Sequence, residues 1–373
     1  MIVLHVLDEL QPSGAEAMLL SAAPLWCERA EQHILTTGDR EGEFAPALRE
    51  AGYVIHQLPF DRSLWFFREF ARVVEDSGCD VLHLHTERGS QWYALVARLS
   101  CRRSLRVVRT VHHLFRFEGN LRFRRMIGRQ FMKRVLRVSF ISNSPSGQRN
   151  ELKRFGMRNA LVPNWYDSNK FTPAKDGERW EARQSLGFDS ETTVFVSLGG
   201  NWSYKNYDMI VEALARIPAE HRLRYVQIGV QGEGAPLETL AKSLGVSDRL
   251  NCVGVVANVR PHLLAANAYL MPSSEEGFGV AAVEAMASGL PAILSDVEAL
   301  CDFRENLDGI RYIDPTPGAI AEAMTSFCTM PLTRLHQLGR SLAKDVERHY
   351  GLGVGPVAYL KAWGIDENLG TVN

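Results

Sequence analysis

The chain has 373 residues, 46% of them hydrophobic and 23% charged, the balance of an ordinary globular protein of two or three domains rather than a disordered or fibrous one. Its net charge of −1 hides an asymmetry, because residues 1–165 carry 24 Lys and Arg against 17 Asp and Glu, whereas residues 166–373 carry 18 against 26. The six cysteines, at 27, 79, 101, 252, 301 and 328, include no Cys-x-x-Cys pair, which argues for reduced thiols and against a disulfide framework or a zinc site.

The pattern along the chain is strand then helix, repeated. Strands are predicted over 2–7, 32–36, 54–58, 81–85, 105–111 and 140–142, with helices over 15–29, 43–51, 64–75, 90–99 and up to about 155. Near 163–177 the periodicity lapses, and Pro163, Pro173 and Gly177 punctuate a polar stretch. The alternation then restarts with strands over 193–198, 224–228, 250–253, 268–271 and 292–295, and helices over 207–217, 236–244, 280–288 and 319–328. Such alternation predicts parallel sheets covered by helices, an α/β class. We expect an N-terminal domain over 1–165, a second over 176–350, and a tail, 351–373, whose helix packs back on the first. A cleft between the domains is the default ligand site. No apolar window approaches the ~18 residues of a membrane span. The sequence opens on a strand rather than on a secretory leader, so a cytoplasmic location is expected.

The strongest signal is the string from Ser273 to Pro291, Ser-Ser-Glu-Glu-Gly-Phe-Gly-Val-Ala-Ala-Val-Glu-Ala-Met-Ala-Ser-Gly-Leu-Pro. A strand ends just before it, a glycine-flanked turn follows, and a helix starts near Gly279. Free N–H groups at a helix start, aided by the helix dipole, bind phosphate. Glu284 lies about a turn inside that helix, where a carboxylate can chelate two ribose hydroxyls, and Glu276 sits on the turn, where it can touch a sugar. Gly14, between the first strand and helix, permits close backbone approach to a phosphate or an acceptor. A lysine at a helix start opposes the dipole, so Lys205 reads as a phosphate ligand. His83 and His85 share a strand face as paired metal ligands would, but no third ligand is evident in the sequence, so a core or cleft-lining role is expected.

This string resembles the donor-site motif of the family 4 retaining glycosyltransferases: Glu276, seven residues, Glu284, preceded by Pro-Ser-Ser and followed by Ala-Met-Ala-Ser-Gly-Leu-Pro. The resemblance covers most of the chain. Pro12-Ser13-Gly14-Ala15-Glu16 is similar to that family's Gly-Gly-Ala-Glu loop, and Asp80-Val81-Leu82-His83-Leu84-His85 to its fourth-strand signature. Thr110-Val111-His112 is similar to its active-site histidine strand, and Asn164-Trp165-Tyr166-Asp167 with Phe171-Thr172-Pro173 to its interdomain linker. The family implies the GT-B fold, two facing Rossmann-like domains with an interdomain cleft. It also implies transfer of a hexosyl group, with retention, from a nucleoside-diphosphate sugar to a glycan or lipid-linked acceptor in polysaccharide or glycolipid synthesis. A UDP-sugar is the expected donor, with the donor phosphate taking the acceptor's proton. No cofactor and no catalytic metal are expected, and the sequence has no Asp-x-Asp.

By this resemblance His112, Lys205 and Glu276 form the catalytic set, His112 hydrogen bonding the transferring sugar and Glu276 positioning its hydroxyls. Gly14, Gly200, Asn201, Gly277, Phe278, Gly279 and Glu284 are the donor-binding residues. One departure stands out: the family's arginine after the second domain's first strand is Gly200 here. Either Lys205 alone neutralises the diphosphate or another arginine swings in. An epimerase on the same fold, or a non-catalytic member that binds nucleotide sugar, remain rival expectations.

Residues 98–158 hold 17 basic residues and two acids, Glu118 and Glu151. Over 115–137 arginines alternate with aromatics. On a helix, Phe123, Ile127, Phe131 and Leu136 are expected to face the core, while Arg122, Arg125, Arg129 and Lys133 face out. The candidate partner is an anionic membrane surface beside a lipid-linked substrate, and the protein is then peripheral on the membrane's inner face. No base-reading motif accompanies the charge, so nucleic acid is not expected.

Overall fold

The computed structural model describes residues 1–11, 13–100 and 104–365. Pro12, Cys101, Arg102 and Arg103, and with them part of the expected loop motif and of the basic segment, lie outside the described residues. Two compact units emerge. One runs from Met1 to Asp167 and takes up the chain again from Leu352, and the other spans Ser168–Gly351.

The first unit is built on strands β1 (Ile2–Leu7), β2 (Glu31–Thr36), β3 (Val54–Gln57), β4 (Val81–Leu84), β5 (Arg106–Val111), β6 (Ser139–Ser142) and β7 (Ala160–Leu161). All pair in parallel, in the order β3-β2-β1-β4-β5-β6-β7. Helices cover both faces, so the central strands read as apolar runs; β4 is buried at every position. Serines open three helices by accepting a backbone N–H on the side chain: Ser13 for Gly14–Cys27, Ser63 for Leu64–Asp76 and Ser144 for Pro145–Phe155. The helix Gly355–Trp363 joins this unit's core. Tyr359, Leu360 and Trp363 are buried with Trp26 and Trp165, and the Trp26 indole donates to the Pro356 carbonyl at 3.0 Å.

The second unit has strands β8 (Thr193–Leu198), β9 (Leu223–Ile228), β10 (Leu250–Gly254), β11 (Ala268–Met271), β12 (Ala292–Ser295) and β13 (Arg311–Ile313), parallel in the order β10-β9-β8-β11-β12-β13. In each sheet the strand order reverses beside its first strand, between β1 and β4 and between β8 and β11. Those switch points splay the loops at the strands' carboxyl ends apart and open a crevice.

The basic helix, Gly119–Arg134, turns Arg129 rather than Phe123, Ile127 and Phe131 toward the core, against expectation. Phe123, Ile127 and Phe131 are 59, 51 and 39% exposed, whereas Arg129 and Met132 are buried; Leu136, just past the helix, is buried and Arg122 is exposed, as expected. Two acids of the same unit draw Arg129 inward. Arg129 donates its Nε to Glu151 at 3.0 Å and both terminal nitrogens to Glu87 at 3.1 Å, and its guanidinium lies over the Phe155 ring at 4.3 Å. Arg109 also donates to Glu87, and Arg125 reaches it at 3.4 Å. Much of the remaining charge is spent on carbonyls: Arg98 donates to Leu136 O, Arg122 to Arg154 O, and Lys133 to Arg158 O. The positive segment is therefore partly internal, and the outward face of its helix carries an apolar stripe among exposed arginines.

Candidate active site

In the second unit, the loops that leave β8 and β11 are laced together at the switch point. The Ser274 amide donates to Tyr204 O at 2.8 Å, and the Asn206 side chain donates to Pro272 O at 2.9 Å. Asn206 takes the left-handed conformation, φ 54, and turns the chain from the Ser203–Lys205 turn into the helix Tyr207–Leu214. The result is a tight ion pair, Lys205 Nζ to Glu276 Oε1 at 2.6 Å, with side chains 12 and 10% exposed. Ser273 Oγ donates to the same carboxylate oxygen at 2.8 Å. An ammonium has three donors, and Glu276 takes one.

The helix Val280–Ala287 starts directly after this pair. Gly279 precedes it at φ 93, and a Cβ there would run into the Leu300 side chain, so only glycine brings the chain into the helix at this angle. The helix-start amides beside Gly277 and Gly279 can hold an anion. The Phe278 ring is buried against Phe303 and Tyr350, which leaves its backbone amide for a ligand. Glu284 is half-buried, one turn along. Gly200 has the Trp202 indole against it: a Cβ at Gly200 would meet Trp202 Nε1 at 2.9 Å. Trp202 thus occupies the space into which an arginine at this position would lead. Asn201 is tied to the next strand's loop by its amide, which donates to Val230 O at 2.7 Å. A hollow of about 790 Å³ in this unit lies elsewhere, around Thr192, Leu223 and Arg224 at the strands' amino ends.

In the first unit a hollow of about 660 Å³ opens where β1, β4 and β5 end, lined by Asp8, Ser13, Glu16, His85, Glu87, Arg109, His112 and Arg125 among others. Gly14 is exposed as the first residue of its helix. Ser13 caps that helix and also donates to Glu16, whose carboxyl is buried and pushed up by desolvation. His112 follows β5 directly; its carbonyl accepts from Asn143 Nδ2 at 3.1 Å, and its Nε2 lies 3.0 Å from His85 Nδ1. His113 is exposed. The structure thus brings Lys205, Glu276, Gly200, Asn201, Gly277, Phe278, Gly279 and Glu284 to one sheet's carboxyl edge, and Gly14 and His112 to the other's.

Sequence reasoning missed two residues here. His5, central in β1, is fully buried and is a third histidine beside His83 and His85 that the sequence did not reveal, while His83 in the core and His85 on the hollow take the core and cleft-lining places expected of them. Gln32, buried on β2, accepts from His5 Nε2 on its Oε1 at 3.0 Å. The available signal was a single polar residue inside an otherwise apolar strand, Ile-Val-Leu-His-Val-Leu.

Comparison with known families now bears on these sites. Residues 178–344 match Glycosyl transferases group 1, and residues 12–170 match Glycosyltransferase Family 4. The chain belongs to the family 4 glycosyltransferases. Among its curated relatives is a D-inositol 3-phosphate glycosyltransferase of Geodermatophilus obscurus, 30% identical over 200 residues, 49% of this chain and 44% of that protein. A mannosylfructose-phosphate synthase of Agrobacterium fabrum is 31% identical over 146 residues, 36% of this chain and 32% of that one. The chain therefore spans less than half the length of these two relatives. Among solved structures, Anabaena HepE in complex with UDP and glucose aligns with a TM-score of 0.82 at 17% identity, over 97% of this chain and 99% of that one. That likeness places both units of the chain in the GT-B fold class. Among the described residues, no helix is long and apolar enough to cross a membrane.

Burial makes the first unit of the chain sensitive to acid. His112 is lowered from 6.5 to about 3 by burial and by the neighbouring His113, and His5 is lowered to about 4 by burial, against the hydrogen bond to Gln32. The unfolded chain binds protons at these sites before the folded chain does, so stability is fully present above 6.5 and lost as pH falls from there. Urea midpoints measured between about pH 7 and pH 5 are expected to drop steadily. A flat profile would show that these imidazoles are solvated.

Proposed function

We propose that the protein is a retaining, metal-independent hexosyltransferase that uses a UDP-sugar and delivers the sugar to a glycan or lipid-linked acceptor. The observation that carries this reading is the Lys205–Glu276 pair beside the amides that open the helix Val280–Ala287, at the second sheet's switch point. Diphosphate departure develops negative charge, and a preorganised ammonium with helix-start amides meets it. Glu276 orients the sugar hydroxyls and holds Lys205 in place, and Glu284 takes the ribose hydroxyls. In the first unit His112 faces the hollow and takes a hydroxyl of the transferring sugar, while the space around Asp8, Glu16 and Arg125 admits the acceptor. The UDP and glucose in the HepE complex support the donor, and the glycosyl transfer in the relatives' names supports the reaction class.

Titration calorimetry with UDP and UDP-glucose tests the donor site. Glu284→Ala leaves two ribose hydroxyls without their charged partner and is expected to weaken binding by about 1.5–3 kcal/mol. Unchanged affinity in a folded variant removes Glu284 from the site.

The outward face of the helix Gly119–Arg134 gives the protein an anionic lipid surface to sit on. Phe123, Ile127, Phe131 and Val135 form an exposed stripe at helical spacing, Trp92 and Leu99 are exposed on the helix Ser90–Ser100, and Arg124 and Arg134 are exposed beside the stripe. Apolar side chains with flanking cations are the composition of an interfacial helix. Changing Phe123, Ile127 and Phe131 together to serine is expected to abolish sedimentation with vesicles containing anionic lipid while donor binding survives. Because Arg129 is internal, it has no place in that test. Binding that persists in the triple variant, or that ignores salt and lipid charge, contradicts the assignment.

A further inference from the structure

Three imidazoles run in file from the hollow of the first unit into its core. His112 Nε2 lies 3.0 Å from His85 Nδ1, His85 Nε2 lies 3.0 Å from His5 Nδ1, and His5 Nε2 lies 3.0 Å from Gln32 Oε1. The last member gives the chain a direction. Gln32 Nε2 lies 3.2 Å from the Ala30 carbonyl, which can only accept, so the amide nitrogen faces Ala30 and the amide oxygen faces His5. That oxygen can only accept in turn, so His5 carries its proton on Nε2. A neutral imidazole has one donor and one acceptor nitrogen. His5 Nδ1 must then accept from His85 Nε2–H, and His85 Nδ1 must accept from His112 Nε2–H.

We propose that Gln32 is a positioning residue that, through His5 and His85, fixes the tautomer of His112 so that its Nδ1 lone pair is presented to the hollow. The hollow then offers an acceptor at that point and takes a ligand group that donates, a hydroxyl, in preference to a phosphate oxygen or a carbonyl. Among the described residues Nδ1 of His112 has no protein partner, whereas every other ring nitrogen in the file has one. Burial keeps all three rings neutral near pH 7: His5 and His112 are lowered to about 4 and about 3, and His85 lies well below the usual range.

The neighbouring histidine is fixed independently. The Trp363 indole, which can only donate, points at His83 Nδ1 at 3.3 Å, so His83 Nε2 donates to Thr110 Oγ1 at 2.9 Å. His5, His83 and His85 lie close enough to ligate a metal ion, but all six of their ring nitrogens are engaged in these bonds. A metal would have to break the file, and we read the cluster as a hydrogen-bond chain.

Only the identity of the hydroxyl, a sugar's, rests on the proposed function; the tautomer is a property of the free protein. Long-range proton–nitrogen correlation spectra of histidine-labelled protein at neutral pH read it directly. The expected result is His5, His85 and His112 all protonated on Nε2 and unshifted by added zinc ion. In Gln32→Met, which removes the acceptor, His112 is expected to shift to a mixture that includes the Nδ1–H form, and Gln32→Glu, which restores an acceptor oxygen, is expected to return it to Nε2–H. Affinity for UDP-glucose is expected to fall about tenfold in the Met variant, one hydrogen bond's worth. An Nδ1–H or charged His112 in the unaltered protein, a shift of these signals on zinc addition, or a His112 tautomer unmoved in folded Gln32→Met overturns the proposal. A confirmed tautomer with no response to UDP-glucose in any variant leaves the file standing and contradicts the donor assignment instead.

Discussion

Replacing Lys205 by alanine is expected to lower turnover by about 10²–10³, with a smaller loss of donor affinity. The magnitude is that of removing one preorganised donor from a site where charge develops. The split between turnover and affinity follows because the leaving diphosphate is more negative in the transition state than in the ground state. Trp202 fills the space beside Gly200, so the loop after β8 holds Lys205 with no arginine at the family's position. Lys205→Ala also strips the cation from Glu276, which keeps Ser273 Oγ as a donor at 2.8 Å, so the fold is expected to survive. Steady-state kinetics with circular dichroism check the result. A fall in affinity alone makes Lys205 a ground-state contact, and no change in either removes it from the site.

Arg129→Met is expected to cost the first unit about 3–5 kcal/mol, because it leaves the side chain of Glu151, 0% exposed, and that of Glu87, 15% exposed, without the guanidinium that bridges them. For a unit of this size that is a drop of about 10 °C or more in melting temperature. Burial already pushes the Glu151 carboxyl up, and losing Arg129 removes the largest opposing influence, so the variant's Glu151 is expected to take up a proton. Calorimetry of the variant tests this. A loss below about 1 kcal/mol, the size of an exposed ion pair, would show that water reaches Glu151.

The same arginine marks where the sequence stopped being legible. An amphipathic helix over 119–134 is readable from spacing, but its phase is not, because Arg125, Arg129 and Met132 repeat at intervals as helical as those of Phe123, Ile127 and Phe131. The choice is made by Glu87 and Glu151, brought to the helix by β4 and by the helix Pro145–Phe155. The two edge strands Ala160–Leu161 and Arg311–Ile313 were missed because two or three residues show no period. The central strands were legible because burial on both faces demands apolar runs. The meeting of Lys205 with Glu276 was only half legible. The string at 273–291 announces the helix-start site, but that Lys205 lies on it depends on the strand order β8-β11, which pairs two loops 71 residues apart in sequence. Gln32 and His5 were invisible as partners for the same reason, since β1 lies between β2 and β4 only in the folded sheet.

The central claim is that the carboxyl edge of the second sheet handles a nucleotide sugar so that the sugar leaves its diphosphate. Phosphorus NMR of the protein with a panel of UDP-sugars and a lipid extract as acceptor follows that bond directly. UDP is expected to appear with at least one sugar, proton NMR of the glycolipid or glycan product is expected to show the anomeric configuration retained, and both are expected to form about 10²–10³ times more slowly in Lys205→Ala. Conversion of one UDP-sugar into another without release of UDP, or release that persists undiminished in Lys205→Ala, would contradict the claim.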